Sequence, residues 1–255
     1  MNLCRLKAAT VVTRAGARRT SSGIGTLKRC ASSTFASFVH GRLPPEFTFL
    51  PYYFSLPEQC LLLRAALMKL DSVDRRQARR HRKSLPPPIV CDSPTTAADI
   101  FLPDQYYLFE QGHYDGVIRN YRETHITTWP ESEIEGLTPV IKRLYDMAPT
   151  KNVQTHILHL ATDGEIIPHV DNVTASGTWI LGVSLGAERV LRLESLDGTD
   201  FFEVLLPSGS LYIQRDDTRY NYQHSILMDR GTRGRQVQGG QRISIMIRDL
   251  FQPSQ

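Results

Sequence analysis

Residues 178–213 read TWILGVSLGAERVLRLESLDGTDFFEVLLPSGSLYI, and this stretch decides the fold class. Four short apolar runs, Thr178–Ser184, Val190–Leu193, Phe201–Leu205 and Ser210–Ile213, have strand character. Asp197-Gly198 and Pro207-Ser208-Gly209 punctuate them with turn formers. The same texture extends to both sides. Val153–Leu160 precedes the stretch, with Asp163-Gly164 read as a turn, and Tyr222–Leu227 and Arg242–Arg248 follow it, with Gly239-Gly240 between them. Many short strands at regular spacing predict a sandwich or jelly-roll barrel. There is no strand–helix alternation, no GxGxxG and no phosphate-binding loop, which argues against an α/β nucleotide-binding fold.

Upstream of the strands the pattern turns helical. Ser55-Leu56-Pro57-Glu58 reads as a capping box, with Ser55 at the N-cap and Glu58 reaching back to its amide. Leu61, Leu62, Ala65, Ala66 and Met68 follow at helical spacing, which predicts a helix over roughly Leu56–Leu70. Glu133–Tyr145 reads as a second helix, ended by Pro149, and the two could cover a sheet. Between them lies a basic run, Arg75, Arg76, Arg79, Arg80, Arg82 and Lys83, closed by Pro86-Pro87-Pro88. A solvated helix end and linker is the first reading of that run. A phosphate-contacting patch is the second. Residues 104–129, DQYYLFEQGHYDGVIRNYRETHITTW, are rich in aromatic side chains.

The 255 residues are 41% hydrophobic and 22% charged, which suits one globular domain with appendages and excludes wholesale disorder. No apolar run approaches the roughly 18–20 residues that span a bilayer. Cys4, Cys30, Cys60 and Cys91 form no CxxC pair, so a zinc ribbon or disulfide framework is not expected. The net charge of +4 is unevenly placed. Residues 1–45 hold eight of the 30 basic residues and no acid, leaving 22 basic against 26 acidic residues in the remainder. An Arg-rich, Ser/Thr-rich, acid-free head without an apolar core segment has the composition of a mitochondrial transit peptide, and a basic tail touching nucleic acid is the alternative. The expected organisation is a disordered, cleavable leader over 1–45, an N-terminal helical and extended region over 46–151, and a catalytic core over 152–250.

Pro168-His169-Val170-Asp171 carries the first chemical signal. Side chains two apart on an extended segment point the same way, so His169 and Asp171 can reach one point. His224 lies 53 residues on, within Tyr222–Leu227. Two histidines and one carboxylate on β-scaffolding form the facial triad that holds Fe(II) and leaves positions open. A lone HxD recurs by chance, and a turn with a satisfied surface pair is the alternative. The last strand adds weight. Ile243, Ile245 and Ile247 share one face, and Arg242, Ser244, Met246 and Arg248 share the other. Two arginines on an inward face call for a dianion such as 2-oxoglutarate, because guanidinium grips carboxylate bidentately. At a barrel rim both would instead reach solvent.

HxD, a distal His and RxxxxxR on the last strand together resemble the AlkB-type Fe(II)/2-oxoglutarate dioxygenases. Residues 113–123 (HYDGVIRNYRE), 166–171 (IIPHVD), 209–213 (GSLYI) and 240–245 (GQRISI) are similar to a mitochondrial branch of that family, and the resemblance covers about residues 46–250. It implies a mainly-β protein with flanking helices and a double-stranded β-helix (jelly-roll) core. By position, His169, Asp171 and His224 would ligate iron. Arg242 would grip the distal carboxylate of 2-oxoglutarate, Arg248 would lie near its metal-proximal end, and Tyr212 would border the co-substrate. Repair enzymes of the family carry Asn-x-Tyr on the strand before HxD. Here that stretch is Leu158-His159-Leu160.

The implied reaction takes dioxygen and 2-oxoglutarate and oxidises a C–H bond in the mitochondrial matrix. A protein side chain ranks first as substrate, and the protein is expected to act as a monomer. N-methylated mitochondrial RNA is the alternative substrate, motivated by the basic run and by Tyr106, Tyr107, Tyr114 and Trp129 as stacking rings. A non-turnover sensor of iron and oxoglutarate is the third reading, with programmed necrosis and fatty acid metabolism as the processes that the resemblance suggests.

Overall fold

One strand organises the molecule. In the computed structural model, which describes residues 39–74, 76–89, 91, 93–173, 177–227 and 239–250, β5 runs unbroken over Val153–His169. Its first half pairs with β11 (Arg242–Asp249) on one side and β4 (Ile118–Ile126) on the other. Its last residues pair with β10 (Tyr222–Leu227) through Ile166 and His169. The strand therefore belongs to two sheets. The Asp163-Gly164 turn expected from the sequence is instead a bend inside β5. There the β4 register shifts between Arg119 and Tyr121, Asn120 takes φ 48°, and a Cβ on Gly164 would stand 2.6 Å from Asn120 O. A side chain at 164 would close the bend.

The first sheet runs β4–β5–β11–β6–β9–β2, with β6 at Trp179–Gly186, β9 at Ser210–Arg215 and β2 at Phe47–Leu50. The second runs β5–β10–β7–β8–β1, with β7 at Arg189–Ser195, β8 at Phe201–Leu206 and β1 at Val39–His40. A short strand β3 (Glu110–Gly112) pairs with β4. All of these pairings are antiparallel. The two sheets curl over each other, and Leu158, Leu160, Leu191, Leu193, Phe202 and Ile226 fill the space between them. This is the double-stranded β-helix. Strands from the 46–151 region complete it: β2 adds an edge beside β9, and β4 flanks β5. Val39–His40, at the end of the segment read as a leader, pair with Val204 and Glu203 of β8. Residues 1–38, which carry the rest of that leader reading, lie outside the described residues.

Alternation along β11 sorts its side chains. Ile243, Ile245 and Ile247 are fully buried in an outer layer between the first sheet and the helices, while Met246 packs against the interior cluster. Helix α1 (Leu56–Val73) opens as the sequence predicts, with the Glu58 carboxylate accepting from the Ser55 amide (2.8 Å) and hydroxyl (2.7 Å). Leu62, Leu63, Ala65, Ala66 and Leu70 form its buried face. Each leucine buried there contributes roughly 1.5–3 kcal/mol. Met68, placed on that face by spacing, is 38% exposed.

Helix α2 (Arg76–Ser84) carries the basic run from Arg76 to Lys83, and Arg75 lies outside the described residues. Arg82 is spent internally, on Asp71, Asp74 and the Tyr106 carbonyl. Helix α3 (Leu137–Tyr145) begins four residues later than predicted, because Gly136 sits at φ 79° and residues 131–134 form a turn on the Pro130 carbonyl. A one-turn helix α4 (Asp216–Tyr220) links β9 to β10. No helix among the described residues is long and apolar enough to cross a membrane.

Candidate metal and co-substrate site

His169 ends β5 and His224 sits opposite it on β10, so the two are a direct cross-strand pair with ring centroids 4.3 Å apart. Asp171 follows two residues on, and its Oδ1 stands 3.4 Å from His169 Nε2. Ligating atoms of the three side chains all lie within 4.8 Å of one another. His169 Nδ1 is 3.0 Å from the Ile167 carbonyl oxygen. A carbonyl only accepts, so this nitrogen donates and Nε2 is the atom turned to the cluster.

The protonation states suit a cation. Burial pushes His224 down to about 3, with Asp171 opposing and the positive charge of His169, Arg248 and Arg219 acting in the same direction as burial. Burial would raise Asp171, but the hydrogen bond from His169 and the charges of His224 and Arg248 hold it well below the usual carboxylate range. Burial likewise opposes the rise of His169, which Asp171 nevertheless carries above its ordinary value. Asp171 Oδ2 is buried and accepts no hydrogen bond, and Arg248 Nη2 stands 3.5 Å away. A neutral imidazole, a second imidazole whose Nε2 becomes a ligand when a metal displaces its proton, and a carboxylate with an oxygen free of hydrogen bonds are the donor set of a divalent metal.

The segment after Asp171 is pinned from two sides. Arg219 of α4, 1% exposed, donates to the carbonyls of Asp171 (3.1 Å) and Asn172 (3.3 Å). Asp249 accepts from the amides of Thr178 (2.8 Å) and Trp179 (3.4 Å), and the Tyr220 hydroxyl donates to the Gly177 carbonyl. Neither anchor was legible in the sequence, since both bridge segments about 47 to 71 residues apart.

Arg242 is 1% exposed and faces the interior. It donates to Ser184 Oγ at 3.0 Å and to Ser244 Oγ. Burial pushes its guanidinium down to about 10. No carboxylate among the described residues lies within ion-pair distance of it. Tyr212 lies across from Gly182, whose Cβ would overlap the phenol ring, and Phe47 stacks on its other side at 6.0 Å. Burial raises the Tyr212 hydroxyl, with Asp171 acting in the same direction and Arg242 and Arg248 against it.

Leu158 and Leu160 point into the interior, at the positions where repair enzymes of the resembled family carry Asn and Tyr. His159 points the other way. It stacks with Phe101 (5.2 Å), accepts from Arg122 Nε at 3.0 Å and meets Gln241 Oε1 at 2.9 Å. Of the four rings considered for stacking, Tyr106 and Tyr107 are buried, and Trp129 is half-buried with its indole N–H on the Tyr145 hydroxyl. Tyr114, 93% exposed at the β3–β4 turn, lies against the His113 ring with centroids 4.1 Å apart.

Comparison with known proteins agrees with this architecture. The sequence profile of the 2OG-Fe(II) oxygenase superfamily matches residues 46–248. The mitochondrial alpha-ketoglutarate-dependent dioxygenase alkB homolog 7 of Bos taurus is 35% identical over 145 residues, 56% of this chain, and its Mus musculus counterpart is 34% identical over the same length. The match spans 66% of each relative, just under two thirds. Among solved structures, OsALKBH1 superposes over 82% of this chain and 100% of its own with a TM-score of 0.51 at 13% identity, a likeness of fold. The match over most of the chain, on a double-stranded β-helix that brings His169, Asp171 and His224 together, assigns the protein: it belongs to the 2OG-Fe(II) oxygenase superfamily.

Proposed function

We propose that this chain is an Fe(II)- and 2-oxoglutarate-dependent dioxygenase of the mitochondrial matrix that hydroxylates a protein side chain. The observation that carries the reading is the convergence of His169, Asp171 and His224 in one interior that also holds an Arg242 without a carboxylate partner among the described residues. His169 through Nε2, His224 and Asp171 would hold the iron. When bound, the iron supplies the chemistry by which 2-oxoglutarate and dioxygen yield succinate, carbon dioxide and one oxygen atom for a C–H bond. Arg242, with Ser184 and Ser244, receives the distal carboxylate of the co-substrate. Arg248 keeps Asp171 ionised, and Tyr212 walls the cavity. Leu158, Leu160, Leu191 and Leu193 exclude water.

A protein substrate is favoured by the interior wall. Leu158 and Leu160 offer a nucleobase no hydrogen bond, and two of the four candidate stacking rings are buried in the fold. Arg82 is likewise committed to Asp71 and Asp74 rather than offered to phosphate. The mitochondrial setting rests on the acid-free head over residues 1–45 and on the relatives named above. Programmed necrosis and fatty acid metabolism are the processes in which we expect the activity to matter, with the enzyme acting as a monomer. The test is oxygen-dependent mass spectrometry of mitochondrial protein and RNA, comparing the active chain with His169→Ala. A +16 Da mark on a protein, absent with H169A, is expected. Loss of methyl marks from RNA with no change in protein would replace the reading by demethylation. No oxoglutarate-dependent change in either would leave the sensor reading.

A further inference from the structure

Leu160, Arg242 and Gly186 form one row across β5, β11 and β6. Two residues beyond that row come Thr162, still on β5, Gly240, just before β11, and Glu188, in the turn between β6 and β7. The carbonyls of all three converge on a single side chain. Arg189, at the start of β7 and 0% exposed, donates from Nη2 to Gly240 O (2.6 Å) and Thr162 O (3.4 Å), and from Nη1 to Glu188 O (3.2 Å). The guanidinium is thus fastened to the backbone that leads directly into Arg242, and its charge acts on the Arg242 guanidinium.

The charge is what needs explaining. Arg189 meets no carboxylate among the described residues, and its buried Nε has no hydrogen-bond partner. A neutral amide could satisfy carbonyls without placing a second cation behind the first. Two buried like charges are tolerated where an anion is to be received. Resting on the oxygenase reading above, we infer that Arg189 is a positioning and specificity-determining residue of the co-substrate pocket. It fastens β5 at Thr162 to the Gly240 backbone that leads into Arg242, and its charge biases the pocket toward a keto acid bearing a second, distal carboxylate.

The test measures binding of 2-oxoglutarate and of 2-oxobutyrate, which lacks the distal carboxylate, to the full chain loaded with Mn(II). Parent, Arg189→Gln, Arg189→Met and Arg189→Lys are compared by calorimetry, with melting curves as the fold control. The glutamine and methionine variants should lose roughly tenfold in 2-oxoglutarate affinity and less than about twofold for 2-oxobutyrate. Mn(II) affinity should not change, and lysine should restore part of the discrimination. R189Q still carries donors for the carbonyls, so it reads the charge even if R189M fails to fold. Parent-level discrimination in folded R189Q, or an equal loss for both keto acids, overturns the inference. A parent chain that does not bind 2-oxoglutarate overturns the oxygenase reading beneath it.

Discussion

His224 lies directly across the strand ladder from His169, so the register of β10 against β5 is what assembles the candidate metal site. A slip of one residue would turn His224 to the other face. The neighbouring register, His224 opposite Leu193 and Ile226 opposite Leu191, buries Leu193, Ile226 and Leu191 in the barrel core. Core packing therefore guards the site. Since Asp171 then sits among His169, His224 and Arg248, its charge is as much a structural need as a chemical one.

Acid should weaken the metal-free protein, and His224 should be a principal cause. Its folded value of about 3 lies below the ordinary value near 6.5, so below that value the unfolded chain takes a proton the folded chain refuses. Stability then falls as pH drops from about 6.5 toward 3, by about 2 kcal/mol at pH 5. His169, raised by Asp171, acts with the opposite sign, since its contribution is present at low pH and lost as pH rises. Urea titrations of parent and His224→Gln at pH 8 and pH 5 separate the two. The variant should gain about 2 kcal/mol relative to the parent on going to pH 5. Parallel pH dependences would show that His224 is protonated in the folded chain.

Arg242→Ala should raise the 2-oxoglutarate requirement by about 1.5–3 kcal/mol of binding energy while leaving metal affinity nearly unchanged. Arg242→Lys should rescue only part, because an ammonium cannot make the two-pronged contact. Titration of metal-loaded variants with 2-oxoglutarate checks this. Unaltered binding by R242A would remove the co-substrate from this end of the barrel.

Arg219→Met should loosen the metal rather than the co-substrate. Its guanidinium holds the Asp171 and Asn172 carbonyls, so its loss frees the segment that aims the carboxylate. A fall in metal affinity of roughly 10–100-fold is expected, typical of lost outer support. Competition against a metal chelator measures it, and the ratio of 2-oxoglutarate to 2-oxobutyrate affinity should stay at the parent value.

Gly182→Ala should cost about 1–3 kcal/mol, because the added methyl overlaps the Tyr212 ring held by Phe47. Tyr212→Leu in the same chain should recover part of that loss. Thermal unfolding of both single variants and the double variant yields the coupling, and strict additivity would mean that the ring moves aside at no cost.

Local pattern was enough for much of the architecture. Period-two alternation sorted Ile243, Ile245 and Ile247 from Arg242, Ser244, Met246 and Arg248, and the structure puts these two sets in different layers. The Ser55–Glu58 capping box began a helix where it was read, because both partners lie within one turn. Local reasoning missed where a distant contact or a backbone angle prevailed. Asp163-Gly164 turned out to be a bend within one strand, since β4 continues alongside it, and the second helix waited for Gly136.

Within the site, the sequence by itself determined which chemistry was available, through two histidines, a carboxylate and two arginines of matching parity. Only the tertiary structure decided whether Arg242 faced solvent or the interior, that Arg248 approaches Asp171, and that Arg189 holds the Gly240 carbonyl and Arg219 the Asp171 carbonyl. The physical reason is that parity selects a face and nothing more. What a side chain meets on that face depends on which strands, brought together from distant parts of the chain, curl over it.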